Sequence, residues 1–143
     1  MYLIGFPLLV IPFAIYNIVE FLMPAERPGA LWTAELTRIR LASGAEWSFT
    51  AGDVLIAVSI LMLFVELLKA TRPTSRTIVD HLLSTLLFIV MLVEFLLVRQ
   101  AASATFFLLL VASFVDMVGG FTVSIRSAQR SMSIDGVETI QRS

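Results

Sequence analysis

Four long apolar stretches constrain the fold of this chain more than any other feature of the sequence. They cover residues 3–23, 51–70, 77–98 and 103–125. A bilayer core is about 30 Å thick, so about 20 mostly apolar residues in a helix can cross it. Backbone amides inside lipid must be hydrogen-bonded within the segment, which for runs of this length means an α-helix. The sequence therefore predicts an all-α integral membrane protein, a bundle of four transmembrane helices.

The composition agrees with this class. Hydrophobic residues make up 58 % of the chain and charged residues 15 %, against about 45–50 % and about 25 % in soluble domains. The 10 Lys and Arg nearly balance the 11 Asp and Glu, so no nucleic-acid partner is expected. Cysteine is absent and His81 is the only histidine, which excludes thiolate sites and a three-histidine zinc site within one chain. We predict no metal and no cofactor.

Local signals mark several helix boundaries. Two [ST]-x-x-[DE] capping boxes predict helix starts, at Thr50 with Asp53 and at Thr77 with Asp80. Pro7 and Pro12 lie inside the first stretch and predict a bend near its start.

The loop over residues 24–50 carries a strand-like pattern in "TRIRLASGAEWSFT". Apolar and polar residues alternate on both sides of Ser43-Gly44, which is a typical two-residue turn. The alternation predicts a β-hairpin at about residues 36–50, between the first two helices. An amphipathic helix near residues 31–41 is the alternative, but it matches the 3.6-residue period less well.

The remaining organisation follows from charge and polarity. Residues 1–127 are expected to form one transmembrane domain, followed by a polar C-terminal tail at 128–143 with a frayed helix end and a disordered segment. Six Lys and Arg lie on the side that holds both termini and four on the opposite side. Because basic residues favour the cytoplasmic side, both termini are predicted to be cytoplasmic and the hairpin extracytoplasmic.

Ionisable residues inside the apolar stretches are the candidate functional groups. Glu20, Glu66 and Glu94 occur in near-identical "VEFL", "VELL" and "VEFL" segments, and Asp116 lies deepest, roughly 12 Å from the inner end of its helix. His81 is expected at the depth of Glu66. Intramembrane ionisable groups are functional candidates by default, so these five residues form a candidate ion or proton site.

Each of these residues also has a structural interpretation. A glutamate one turn from a helix end can reach headgroup water or pair with a cation, such as Lys69 for Glu66 and Arg99 for Glu94. His81 can be an ordinary hydrogen-bonded side chain. Asp116 has no basic residue within one turn, and a structural hydrogen bond is as well supported for it as a functional role.

Small residues indicate the packing faces of the helices. Ser113, Asp116 and Gly120 share one face of the fourth helix, with Gly119 beside it, and Ser59 lies on the polar face of the second. Membrane helices pack closely through such small and polar residues. We therefore predict that Gly119, Gly120, Ser113 and Ser59 mediate helix packing and that the polar faces turn inward.

Two segments carry a family resemblance. "VELLKATRPTSRTIVDHLLSTLLFIVMLVEFLLV" and "FFLLLVASFVDMVGGFTVSIRSAQR" resemble a group of small, uncharacterised four-span inner-membrane proteins of proteobacteria. The resemblance covers the second to fourth apolar stretches. It implies a location in the bacterial inner membrane, and it brings no activity and no functional residues with it.

The hypotheses for function follow from these features. The first is a non-catalytic membrane protein that self-associates or serves as an accessory subunit, with the lipid bilayer and other membrane subunits as partners. The alternatives are a small oligomeric cation or proton pathway and the binding of lipid or another small hydrophobic ligand. No serine–histidine–aspartate set is expected at a plausible depth, since His81 is the only imidazole. A phosphate-binding glycine loop, an H-E-x-x-H motif and a second deep aspartate are missing from the sequence. We therefore predict that the chain is not an enzyme.

Overall fold

The fold is described here from a computed structural model that covers residues 5–72 and 77–141, without the side chains of Thr77, Ser127 and Ser131. Within these ranges the chain forms four α-helices and two strands, in the order α1 (Val10–Leu22), β1 (Glu35–Arg40), β2 (Glu46–Thr50), α2 (Ala51–Ala70), α3 (Thr77–Leu97) and α4 (Ala104–Gln141). One turn of 3-10 helix at Arg99–Ala101 joins α3 to α4.

Three of the helices are long and apolar enough to cross a membrane, and α1 is a shorter apolar helix. The helical class is confirmed, and these three helices indicate association with a membrane. α1 has 13 residues and is therefore about 20 Å long, shorter than the predicted stretch at 3–23 and than a bilayer core of about 30 Å. Residues 1–4 lie outside the described ranges, and a crossing by the first stretch stays a prediction.

The two prolines explain where α1 begins. Pro7 precedes the helix, and its carbonyl accepts a hydrogen bond from the Val10 amide at 3.1 Å. Pro12 lies in the first turn, where backbone N–H groups have no partner within the helix, so the missing donor of proline costs little there. The prolines thus belong to the start of a shorter helix.

The start of α2 is set by the predicted capping box, which is confirmed. The Asp53 amide donates to Thr50 Oγ1 at 3.2 Å, and the Thr50 amide donates to Asp53 Oδ2 at 2.9 Å. Thr50 is also the last residue of β2, so strand and helix follow each other without a loop. The second predicted box involves the side chain of Thr77, which lies outside the described part of the chain.

The predicted hairpin is confirmed, but its turn is longer than expected. β1 and β2 pair antiparallel, with Ile39 opposite Trp47. The Gly44 amide donates to the Leu41 carbonyl and the Leu41 amide donates to the Ala45 carbonyl, both at 2.9 Å. The prediction of a two-residue turn was therefore wrong. Gly44 has φ +86°, in the left-handed region. A β-turn followed by one left-handed residue forms a hairpin loop of three residues.

α4 is the central helix and packs against both α2 and α3. The two adjacent glycines of α4 face different neighbours. A Cβ atom on Gly119 would lie 2.9 Å from Leu67 Cδ2 on α2, and one on Gly120 would lie 2.9 Å from His81 Cε1 on α3. The absence of side chains at these two positions therefore lets α4 approach both helices closely.

The helix α4 continues well beyond its apolar part. It runs to Gln141, so the expected frayed end and disordered segment were wrong for residues 128–141. This part lacks proline, and the Thr139 hydroxyl donates back to the Asp135 carbonyl at 2.7 Å. The single interior glycine, Gly136, costs only about 1 kcal/mol relative to alanine. With 38 residues, α4 is about 57 Å long, nearly twice the thickness of a bilayer core.

Candidate functional site

The bundle has two ends that differ in their chemistry. We call the end near the hairpin, where α1 and α3 finish and α2 and α4 begin, the hairpin end. The opposite end, where α2 finishes and α3 begins, is the cavity end. The five predicted site residues divide between these two ends.

Tyr16 connects α1 to the start of α4 at the hairpin end. It is fully buried, and its hydroxyl donates to the Gln100 carbonyl at 2.9 Å. The Ser103 hydroxyl lies 2.6 Å from the Tyr16 oxygen and donates to it, because the single phenolic proton is already used. Ser103 Oγ also accepts from the Phe106 amide at 3.1 Å, and thereby caps α4.

Glu20 stabilises the loop after α1. Its side chain is buried, and Oε1 accepts a hydrogen bond from the Gly29 amide at 3.0 Å. Gly29 has φ +78°, and a Cβ atom there would lie 2.5 Å from Ser103 Cβ. The described partner of Glu20 is therefore the backbone of the loop. The structural interpretation of the sequence had suggested headgroup water or a cation instead.

An aromatic cluster fills the hairpin end. The Trp32 ring stacks on Tyr16 with centroids 5.4 Å apart, and Phe106 meets Tyr16 edge-on at 5.0 Å. Phe106 also contacts Phe13 and Phe95, each at 6.2 Å between centroids. These five aromatic residues close this end of the bundle with packed side chains.

The cavity end contains a cavity of about 450 Å³ between α2, α3 and α4. We call it the polar cavity, after its polar lining residues Glu66, Lys69, Arg72, Asp80, His81, Ser84 and Asp116. Three of the five predicted site residues, Glu66, His81 and Asp116, therefore share one site. The predicted equal depth of Glu66 and His81 agrees with this arrangement.

Glu66 is well satisfied within the polar cavity. Both of its carboxylate oxygens lie 3.2 Å from Lys69 Nζ, the partner suggested by the sequence. The Leu8 amide, just before α1, also donates to Glu66 Oε2 at 3.2 Å. This second contact ties the start of α1 to the end of α2.

His81 bridges α3 and α4. Its Nε2 lies 2.6 Å from Ser124 Oγ, and Ser124 in turn donates to the Ala70 carbonyl at 3.5 Å. A hydroxyl can donate or accept, so the tautomer of His81 decides which of the two groups donates in the contact between Nε2 and Ser124. The ring packs over Gly120, on the face of α4 that also carries Asp116.

Asp116 lies deep in the polar cavity and is only 3 % exposed. The Ser84 hydroxyl lies beside its carboxyl group, and Glu66 and Lys69 are close enough to interact with it electrostatically. Among the described residues, no donor reaches the buried oxygens Asp116 Oδ2 and Asp80 Oδ1. Asp116 and Asp80 both line the polar cavity, and each has a buried carboxylate oxygen without a partner from the described chain.

Glu94 lies elsewhere, in a groove between α1 and α3 near the hairpin end. Its Oε2 accepts from Asn17 Nδ2 at 3.4 Å, while the buried Oε1 has no partner among the described residues. The pairing with Arg99 that the sequence suggested is not among the ion pairs of the described residues. We call this groove the lateral groove. Asn17 also lines it, and its other lining residues are the apolar Phe13, Phe21, Ile89, Val90, Val93 and Val98.

Three of the four residues predicted to mediate packing, Ser59, Ser113 and Gly120, are buried, and Gly119 is half-buried. Ser59 is fully buried and donates to the Leu55 carbonyl at 2.6 Å. Ser113 is 1 % exposed, and its hydroxyl has no partner among the described residues. Gly119 and Gly120 lie against α2 and α3, as described for the fold.

Several partners of these residues were not predicted from the sequence. Glu66 is bonded to the Leu8 amide and Glu20 to the Gly29 amide. Tyr16 contacts Ser103 and Trp32. The only local signal among them is a serine directly before an apolar run, which is typical of the helix cap at Ser103. In the described part of the chain, no group of three or more acidic, histidine or cysteine side chains could hold a metal ion.

Fold and site together define a helical protein with three bilayer-length apolar helices, a β-hairpin at one end and a polar cavity at the other. No protein-family model matches the chain, and no curated protein and no solved structure matches it.

Proposed function

We propose that this chain is a non-catalytic multi-pass membrane protein that associates laterally with another helical subunit, either a second copy or a partner protein, through the lateral groove. In this proposal α1 crosses the bilayer together with the three longer helices. The observation that carries the proposal is the carboxyl group of Glu94, which has a buried oxygen without a described partner in a groove whose only other polar lining residue in the described chain is Asn17.

The groove opens on the outside of the bundle. Three of its lining residues, Phe21, Ile89 and Val93, are each about half exposed, at 53 %, 49 % and 48 %. In a bilayer such a surface meets acyl chains, which cannot donate a hydrogen bond to Glu94 Oε1. Leaving a polar group unpaired in an apolar environment costs several kcal/mol. A neighbouring helix would fill the groove, and a hydroxyl, amide or other donor on it would satisfy Glu94 once the carboxyl group turns toward the groove.

The alternatives have less support from the geometry. A small oligomeric cation or proton pathway would have to pass the hairpin end between copies, because the aromatic cluster of Tyr16, Phe106 and their neighbours fills that end within one copy. Lipid binding in the groove would bury apolar surface but would leave Glu94 Oε1 without a donor. Association with a helix accounts for both the apolar lining and the carboxyl group.

The absence of cysteine makes crosslinking a direct test. A Val90→Cys variant places a single thiol in the lateral groove, where it can carry a photoactivated maleimide crosslinker in native membranes. The matched control is Val58→Cys on α2, because Val58 and Val90 are 40 % and 45 % exposed and lie at similar distances from the hairpin end. We expect a protein adduct from Val90→Cys and none from Val58→Cys.

Removal of the carboxyl group sharpens this test. Polar contacts between membrane helices contribute about 0.6–2 kcal/mol, so Glu94→Ala in the Val90→Cys background should lower the adduct yield about threefold or more. Equal adducts from both cysteine positions, or adducts only with lipid, would overturn the proposal. The mass of a protein adduct distinguishes a second copy from another subunit.

The topology is part of the proposal. We propose that both termini are cytoplasmic, that the hairpin is extracytoplasmic and that the membrane is the bacterial inner membrane. The exposed positions Phe6 and Ser43 lie on either side of α1. In spheroplasts, a membrane-impermeant maleimide should label Ser43→Cys but label Phe6→Cys only after lysis. Labelling of both before lysis would exclude a crossing by α1.

A further inference from the structure

We propose that the polar cavity binds a small organic cation with a single positive charge and several N–H groups, namely a primary ammonium on a short alkyl chain. This inference concerns the cavity end and goes beyond lateral association, which concerns the groove near the hairpin end. Either proposal can fail without the other.

Two carboxyl groups that line the polar cavity have an oxygen without a described hydrogen-bond donor. Asp116 is 3 % exposed and lines the cavity, and no described donor reaches its Oδ2. Asp80 Oδ1 is likewise buried without a described partner. A complementary ligand must therefore supply donors, and a primary ammonium supplies three.

The described lining of the polar cavity holds more acidic than basic side chains. Among the described lining residues, three carboxylates (Glu66, Asp80 and Asp116) face two basic side chains (Lys69 and Arg72). The ion pair of Lys69 is with Glu66, at 3.2 Å to both carboxylate oxygens, so its charge is shared between Glu66 and Asp116. A surplus carboxylate in a poorly solvated site favours a partner with one positive charge. A monocation therefore balances the described lining.

The volume and the partly apolar lining of the polar cavity suit a small organic cation. A volume of about 450 Å³ lies within the range of about 300–1,000 Å³ that is usual for small-molecule pockets. The described residues contain no group of three or more side chains that could hold a metal ion, whereas an ammonium needs only acceptors at about 2.9 Å. Val65 and Leu68 line the same cavity and offer an apolar wall to an alkyl chain.

Titration calorimetry on the full-length protein in lipid nanodiscs tests the proposal with butylammonium chloride as the probe. Tetramethylammonium chloride is the matched control, because it carries the same charge but has no N–H group, and sodium chloride at equal ionic strength is the second control. We expect butylammonium to bind at least tenfold more tightly than tetramethylammonium. Methylammonium should bind more weakly than butylammonium, by up to about fourfold for each methylene group that the cavity buries.

Variants connect binding to the cavity. Asp116→Asn should weaken butylammonium binding at least tenfold, as expected for the loss of a hydrogen bond to a charged group. Asp135→Asn is the matched control, because it changes the same residue type on the exposed extension of the same helix. If Asp116→Asn does not fold, Asp80→Asn serves as the second variant, with an expected loss in the same direction.

Three results would overturn the proposal. These are the absence of binding heat for every amine with folded protein, equal binding of butylammonium and tetramethylammonium, and unchanged binding in both aspartate variants. Each would mean that water or a bound proton satisfies the acceptors of the cavity.

Discussion

The hairpin end and the cavity end of the bundle use the same residue type for different purposes. At the hairpin end, Glu20 accepts a hydrogen bond from the Gly29 amide and lies near a packed cluster of aromatic rings. At the cavity end, Glu66 pairs with Lys69, while Asp116 faces an open volume with an oxygen that no described donor reaches. Both ends bury acidic side chains, but Glu20 is bonded to a loop amide, whereas Asp116 lines a cavity.

This difference shows what decides whether a buried carboxylate is structural or available for binding. A carboxylate bonded to a backbone amide in a packed region has nothing further to bind, and its loss exposes an unpaired donor. A carboxylate in a cavity keeps acceptor capacity, and its neutralisation relieves a surplus of negative charge. Burial alone does not separate the two cases, since Glu20 and Asp116 are 4 % and 3 % exposed.

The largest expected effect concerns the close packing of the hairpin end. Gly29→Ala forces a Cβ atom to within 2.5 Å of Ser103 Cβ and places alanine at φ +78°. We expect a loss of about 3 kcal/mol in the free energy of unfolding, from overpacking and backbone strain together. Chemical unfolding in detergent, followed by circular dichroism, measures it.

Gly44→Ala is the control for this prediction. Gly44 has a similar φ of +86°, but a Cβ atom there meets nothing within 4 Å, so only the strain of about 1–2 kcal/mol should remain. Equal losses for the two variants would contradict the close packing around Gly29.

A smaller loss is expected when the acid of the hairpin end is removed. Glu20→Ala leaves the buried Gly29 amide without its acceptor, and we expect it to lower the free energy of unfolding by about 2 kcal/mol. The same unfolding experiment measures this change. A variant as stable as the parent protein would mean that the loop does not depend on Glu20, and the contrast between the two ends would disappear.

Removal of the acid at the cavity end should not lower the free energy of unfolding as Glu20→Ala does. Asp116→Asn removes a negative charge from a lining in which the described carboxylates outnumber the basic side chains. We expect the free energy of unfolding to stay equal or to rise by about 1 kcal/mol at most, because a neutral amide is cheaper to bury than an unpaired carboxylate. A loss as large as that of Glu20→Ala would show that Asp116 is structural, like Glu20.

The smallest effect concerns the exposed hairpin. Hydrogen bonds from Arg38 and Ser48 hold the pKa of Glu35 below its ordinary value of 4.5. Because the pKa is lowered in the folded hairpin, these contacts stabilise it above the unfolded pKa and are lost as the pH falls through the folded value. A carbon NMR titration should show a midpoint below 4.5 for Glu35. Arg38→Gln should move the midpoint up toward that value, and an unchanged midpoint would contradict the assignment.

Local features were predictable from the sequence because they depend on neighbouring residues. The limits of α2, its capping box at Thr50 and Asp53, and the hairpin alternation all follow from short patterns. The Glu66–Lys69 pair is likewise local, since the two residues lie three apart on one helix. The turn at Gly44 and the length of α4 were wrong in detail, because turn geometry and helix ends depend on small energy differences.

The distribution of the candidate site residues was not predictable in the same way. The contact between His81 and Ser124 spans 43 residues, and that between Leu8 and Glu66 spans 58. No pattern within one helix indicates which loop amide will meet Glu20 or which helix will cover Asp116. These contacts arise only when the helices and the loop pack together in the folded chain.

The sequence by itself determined that this chain forms long apolar helices with a polar hairpin between the first two, because hydrophobic length and period act within each segment. Only the tertiary structure decided that Glu20 supports a loop, that Glu94 lies in a lateral groove and that Glu66, His81 and Asp116 share a cavity. The physical reason is that the cost of burying a charge depends on the donors and the space around it, and those are supplied by distant parts of the chain.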